Sequence, residues 1–206
     1  MSPRTFGSAG YSKPTERVMI FIDGGYIRKV YKELFRNDEI DYGKLIEGLL
    51  GFYNSYDSNP FRADLIRAYY YDAIVDPEEK EKFNNQKEYF KKVSNCFFIT
   101  IRLGKLLKSG EKGYRQKGVD ILISIDALTM AYRNYYDTGV FFVGDSDFIP
   151  LIEAVKETGK KTWGFCYGEE YEKGKVKSEV PNDLLRSFDV RTVLPKQILE
   201  KWRKNG

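Results

Sequence analysis

The stretch Gly139-Val-Phe-Phe-Val-Gly-Asp-Ser-Asp-Phe-Ile-Pro-Leu-Ile152 decides how this chain is read. Val140 to Val143 is apolar without polar alternation, the signature of a strand covered on both faces in a parallel α/β sheet. Gly144 predicts a tight turn. Ser146 or Asp147 is expected to cap the next helix, Pro150 is tolerated in its first turn, and Gly159 followed by Lys160-Lys161 closes it. Thr162 to Tyr167 then predicts another strand. This unit leaves Asp145 and Asp147 at the carboxyl end of a parallel strand, the edge where open α/β sheets take their ligands.

The pattern repeats upstream. Val18-Met-Ile-Phe-Ile22 is a second buried-strand run, and it too ends at a carboxylate and a turn, Asp23-Gly24-Gly25. Helical spacing follows over Tyr26 to Phe35 and Tyr42 to Tyr53, and a strand over Leu65 to Tyr71 reaches Asp72. A charged helix is expected from Pro77 to about Val93, a strand over Phe97 to Ile101, and a long helix over Gly118 to Tyr135. Downstream, Glu169 to Val180 reads as a glycine- and lysine-rich loop. Asp183 to Ser187 reads as a short helix, Val190 to Leu194 as a last strand, and Gln197 to Lys204 as a basic terminal helix. Strands alternating with helices imply right-handed crossovers and a mostly parallel sheet, so Asp23 and Asp145 share an edge if their strands are neighbours.

At 206 residues the chain suits one domain with a sizeable core. Lys and Arg number 34 against 30 Asp and Glu, so any basic footprint is local. Histidine is absent, which removes imidazole as base or metal ligand and leaves carboxylates and oxygen-loving cations. Cys96 and Cys166 each adjoin an apolar strand and are expected to be buried free thiols of a reducing compartment. Met1 to Glu16 has no apolar core and reads as a disordered lead-in, not a signal peptide. No apolar run approaches membrane-spanning length, and a cytoplasmic protein without membrane contact is expected.

Each acid alone has an ordinary explanation as a turn or cap residue, Asp120 as a carboxylate at a helix start. Three or four of them on one pocket would repel one another unless a divalent cation neutralised them, and an oxygen-only set favours Mg²⁺ or Mn²⁺. The chemistry then expected is phosphoryl transfer or phosphodiester hydrolysis. Arg102 to Lys117 holds Arg102, Lys105, Lys108, Lys112, Arg115 and Lys117 against a single Glu111. Such a run can hold a phosphodiester backbone or be a solvated loop. Tyr69-Tyr70-Tyr71 and Tyr135-Tyr136 read as packing more than as stacking platforms for bases. Asp23 as a phosphatase nucleophile ranks low, because Gly25 stands where haloacid-dehalogenase-like enzymes carry a second Asp.

Phe21-Ile-Asp-Gly24, Lys117-Gly-Val-Asp-Ile121 with Asp126 beyond it, and Val143-Gly-Asp-Ser-Asp-Phe-Ile-Pro-Leu151 with Gly159-Lys160 downstream resemble the NYN domain, in the LabA-like/DUF88 branch of the PIN-like nuclease superfamily. The resemblance spans about residues 17 to 194. It implies an α/β fold with a three-layer, Rossmann-like, mostly parallel sheet and helices on both faces. The domain would cover 17–195, with a basic helix or tail over 196–206. It also implies a divalent-metal-dependent ribonuclease in which Asp23, Asp120, Asp145 and Asp147 hold the ion, with Asp126 and Ser146 in supporting positions. Lys105, Lys108, Lys112, Arg115 and Lys117 are the expected nucleic-acid contacts. RNA is the implied partner and DNA the second candidate, with a homo-oligomer left open. Where this family usually carries Asn after the first Asp-Gly, the chain has Gly25-Tyr26. That departure supports an alternative reading, a non-catalytic module that retains the pocket and binds RNA or metal.

Overall fold

The computed structural model describes residues 13–36, 40–108, 114–172 and 175–204. The chain order is β1 (Thr15–Asp23), α1 (Gly24–Phe35), α2 (Tyr42–Ser55), β2 (Arg62–Val75), α3 (Lys80–Ser94), β3 (Ile99–Lys108), β4 (Tyr114–Lys117), α4 (Val119–Tyr132), β5 (Thr138–Phe142), α5 (Ile149–Glu157), β6 (Lys161–Glu172), β7 (Lys175–Ser178), α6 (Asn182–Ser187), β8 (Val190–Leu194) and α7 (Lys196–Lys201). A short 3-10 turn, Ser146–Phe148, precedes α5.

The sheet runs β4-β3-β2-β1-β5-β6-β7, with β8 also paired to β6. Strands β3, β2, β1, β5, β6 and β8 are mutually parallel, whereas β4 and β7 fold back antiparallel on β3 and β6. The order reverses between β1 and β5. From β1 the chain builds outward through β2 and β3, then returns to lay β5 on the other side of β1. A reversal of this kind opens a crevice at the carboxyl ends of the two central strands.

Period-two side-chain placement divides the apolar strands between two cores. Val18, Ile20, Ile22, Tyr70, Phe142 and Phe165 face α1, α2, α3 and α7. Met19, Phe21, Tyr71, Phe141, Val143 and Cys166 face α4, α5 and α6. The result is the expected three-layer α/β arrangement with a mostly parallel sheet. Among the described residues, no helix is long and apolar enough to cross a membrane.

Several local expectations are corrected. The basic run 102–117 is not a free loop, since β3 continues to Lys108 and pairs with β4. Glu169 to Val180 is likewise largely a hairpin, β6 against β7. Both segments are mostly charged, and their few apolar residues, such as Leu103, Leu106 and Leu107 among lysines, do not alternate cleanly, so the strands rest largely on backbone pairing and give a sequence reading little to detect. β2 runs on to Val75, which places Asp72 inside a strand. β1 begins at Thr15, two residues inside the expected lead-in, while residues 1–12 of that expectation lie outside the described residues. Cys166 is a buried free thiol, but Cys96 is only half-buried.

Candidate functional site

Asp23 ends β1, and its side chain accepts a hydrogen bond from the Tyr26 backbone N–H at 3.1 Å, capping α1. β5 ends beside it, with Ile22 opposite Phe142 in the parallel register. Three residues on, Asp145 caps the 3-10 turn by accepting from the Asp147 N–H at 3.0 Å. Neither Ser146 nor Asp147 caps α5, whose N-cap position, Phe148, makes no side-chain cap, because the chain first enters the 3-10 turn that Asp145 caps. Ser146 lies half-buried between the two exposed acids. Asp120 stands in the first turn of α4, whose amino end favours an anion.

The two acidic turns are locked together by Tyr26. Its ring lies so close to Gly144 that a Cβ there would come within 2.3 Å of it. The Tyr26 hydroxyl accepts from the Tyr167 backbone N–H at 3.0 Å, tying α1 to β6. Only glycine at 144 permits this approach, so the β5 turn is held at a set distance from the β1 turn.

Electrostatics group the acids. Burial pushes the Asp23 carboxyl up to about 6, with the Tyr26 hydrogen bond opposing and the charges of Asp120 and Asp72 adding to the rise. Asp120 is raised as well, by partial burial and then by Asp145 and Asp147. Among the described residues none of Asp23, Asp120, Asp145 and Asp147 makes an ion pair; the basic side chains nearby are committed elsewhere or lie along the hairpin. Four neighbouring carboxylates without a paired cation form a local excess of negative charge, and their oxygen-only chemistry suits Mg²⁺ or Mn²⁺. As the side chains stand, no three acids among the described residues are drawn close enough to hold one ion. Asp145 and Asp147 are exposed, and exposed side chains change rotamer on a fast timescale.

Asp126 is drawn away from this group. It lies on the far side of α4 from the stretch that faces solvent, paired to Arg102 at 2.8 Å and accepting from the Tyr71 hydroxyl at 3.2 Å. Its visible role is to clamp α4 to β2 and β3, and it also takes Arg102 out of the supply of free cations.

Two residues near the site were not singled out from the sequence. Asp72 is 0 % exposed, and burial pushes its carboxyl up while Arg28 pulls it back. It accepts from Arg28 at 2.6 Å, the Tyr70 hydroxyl at 2.8 Å and the Ala73 N–H at 2.7 Å. Gln116 of β4 reaches over Gly25, where a Cβ would come within 2.7 Å of its amide nitrogen, and that nitrogen lies 3.4 Å from Asp72. An amide side chain thus fills the space above Gly25. The strand signal ending at Asp72 was readable; the partner across the sheet was not.

Beside Asp120 opens a cleft of about 460 Å³ lined by Lys108, Arg115, Gln116, Lys117 and Ile121. Lys105 lies directly opposite Lys117 in the β3–β4 register, a like-charge pairing that is unfavourable unless an anion relieves it. Lys108 is 3.7 Å from Glu79 but 70 % exposed, a pairing too wet to tie it down. Lys112 lies outside the described residues. Of the five tyrosines weighed as stacking platforms, Tyr70, Tyr71 and Tyr136 are buried in the cores, Tyr69 is half-buried and Tyr135 is exposed.

Comparison with solved structures finds a protein of unknown function from Vibrio parahaemolyticus, with a TM-score of 0.62 over 94% of this chain and 99% of that one. At 16% identity this likeness speaks for the fold alone. Comparison with curated proteins finds no match. Residues 17–189, most of the chain, match the NYN domain, and the chain belongs to that family, within the PIN-like nuclease superfamily.

Proposed function

We propose that this protein is a divalent-metal-dependent ribonuclease of the LabA-like/DUF88 branch. The observation that carries the reading is the set of four carboxylates on the ends of β1 and β5 and the start of α4, which raise one another's pKa and make no ion pair among the described residues. A divalent ion at such a set supplies charge neutralisation on the phosphate and acidifies water. In this reading Asp23, Asp120, Asp145 and Asp147 hold the ion, and Tyr26 with Gly144 keeps the two turns in register. Lys108, Arg115 and Lys117 hold the backbone of the strand, so that a phosphodiester lying along the cleft reaches the acids. Ser146 and the Gln116 amide supply polar groups beside them.

Single-stranded RNA incubated with the protein and Mn²⁺ or EDTA tests this directly. Metal-dependent cutting that disappears in Asp145→Asn is the expected result. Binding without cutting would favour the non-catalytic module instead. In a melting experiment Mn²⁺ is expected to raise the wild-type Tm by mass action, and Asp145→Asn to lose most of that rise. A wild type indifferent to both Mn²⁺ and Mg²⁺ would sink the metal assignment.

The basic cleft has its own test. Changing Lys108, Arg115 and Lys117 together to Ser is expected to weaken RNA binding alike for all sequences and to flatten the slope of log K against log salt by about 2, the release expected for three phosphate contacts on a single strand. An unchanged slope would move the RNA path off the hairpin.

A further inference from the structure

The α4 sequence, Val119-Asp-Ile-Leu-Ile-Ser-Ile-Asp-Ala-Leu-Thr-Met-Ala-Tyr132, is apolar on nearly every side. Its inner face, Val119, Ile123, Ala127 and Ala131, is buried in the core against β1, β2 and β3. The opposite face is not covered by any described part of the chain. Ile121 is 63 % exposed, Ile125 57 % and Tyr132 73 %, with Leu128 half-buried between them. Along this outer face the only flanking polar groups are Ser124 and Thr129. The helix's charged residues lie elsewhere, Asp120 at the acidic site and Asp126 bound to Arg102. A surface helix is expected to turn charge outward, and in a chain with 31% charged residues this outer face carries none.

The spacing says what fits there. Ile121, Ile125, Leu128 and Tyr132 follow one another at intervals of 4, 3 and 4, the seam spacing with which two helices pack knobs into holes. The seam is also self-complementary. A two-fold axis between Ile125 and Leu128 sets Ile125 of one copy on Leu128 of the other, and Ile121 on Tyr132. This isologous pairing closes on itself as a dimer should. The exposed Leu107, which with Ile121 lines the cleft beside Asp120, and Tyr135 past the helix end extend the patch. Fully covered, these side chains would remove on the order of 600 Å² per copy from water, the low end of the roughly 600–1,000 Å² per partner of a standard interface.

We propose that the outer face of α4 is a homodimer interface, in which two copies pack antiparallel through Ile121, Ile125, Leu128 and Tyr132. The arrangement sets the partner's Tyr132 against Ile121 and so adds an aromatic wall to the cleft beside Asp120. The two acidic sites then lie about one helix length apart, roughly 20 Å. The dimer does not depend on the nuclease reading, and its test reads mass rather than activity.

Sedimentation equilibrium of the full chain is expected to show a species of twice 24.0 kDa. Ile125→Glu, at an exposed position, is expected to weaken association by about a hundredfold or more while the Tm of the monomer fold is retained, because it buries carboxylates in an apolar seam. Ile121→Lys and Tyr132→Glu should each weaken the dimer alone, and an equimolar mixture should restore it as a heterodimer, since the two new charges meet across the axis. A wild type that stays monomeric at about 100 μM overturns the proposal, as does an Ile125→Glu protein that remains dimeric. A monomeric wild type whose Tm falls on Ile125→Glu also overturns it and assigns the face to another segment of the same chain. Ile125→Glu monomers without recovery in the mixed experiment overturn the antiparallel register.

Discussion

Asp23→Asn is expected to abolish RNA cutting, by about a thousandfold or more, and at the same time to make the metal-free protein more stable at neutral pH. The loss follows if Asp23 holds the cation, since an ion that neutralises phosphate charge and acidifies water is worth several kcal/mol in the transition state. The gain in stability follows from burial. Asp23 is 9 % exposed and its carboxyl is pushed up to about 6 by burial first and by the charges of Asp120 and Asp72. An Asp whose folded pKa exceeds its unfolded value of about 3.9 favours folding fully only below the unfolded value; that contribution is lost as pH rises through about 6. Above that pH the ionised Asp23 costs at most about 3 kcal/mol, an upper figure because the amino end of α1 favours the anion. Asn keeps the oxygen that caps Tyr26 and removes the charge. In EDTA at pH 8 the variant should therefore melt roughly 5–10 °C above wild type, and the gap should close toward pH 4. A variant that melts below wild type at pH 8 would mean that Asp23 is stabilised as an anion by the cap alone, and the acidic cluster would lose its electrostatic basis.

Arg28→Met is expected to destabilise the fold by about 2–4 kcal/mol. The substitution keeps most of the stem and removes the one cation that, among the described residues, pairs with Asp72, which is 0 % exposed and receives Arg28 at 2.6 Å. Breaking a buried pair from one side costs more than the pair itself contributes, because the remaining charge has no compensation. The figure sits below that for a fully buried pair because Arg28 is 39 % exposed. Without Arg28 the Asp72 carboxyl rises further, so the deficit should grow as pH increases and shrink in acid. Urea unfolding at pH 5 and pH 8 measures both. Arg28→Met combined with Asp72→Asn should recover much of the loss; a double variant no better than the single one would show that Arg28 acts through packing and not charge.

Sequence alone determined what depends on contiguous residues. Val18 to Ile22 and Val140 to Val143 are apolar runs that stop at an acid and a turn, and that local signal predicted both central strands, their parallel sense and the edge on which Asp23, Asp145 and Asp147 lie. Asp120 at a helix start was readable for the same reason. The tertiary structure decided whatever depends on residues meeting across the sheet. Asp126 was set apart from the four ion-holding acids by its helix position, but its partners, Arg102 and Tyr71, come from other strands and only the structure supplies them. Asp72 could not be weighed without Arg28, which is 44 residues away. Gly25 marked a missing amide in the sequence, and Gln116 from β4 fills the space above it. The two charged hairpins gave no clean apolar alternation, with Leu106 and Leu107 adjacent among lysines, and their order comes largely from backbone pairing. The clearest case is α4. Its sequence is apolar on nearly every side, and only the fold, which buries one face against the sheet and leaves the other exposed, separates the residues that stabilise the monomer from those available to a second copy.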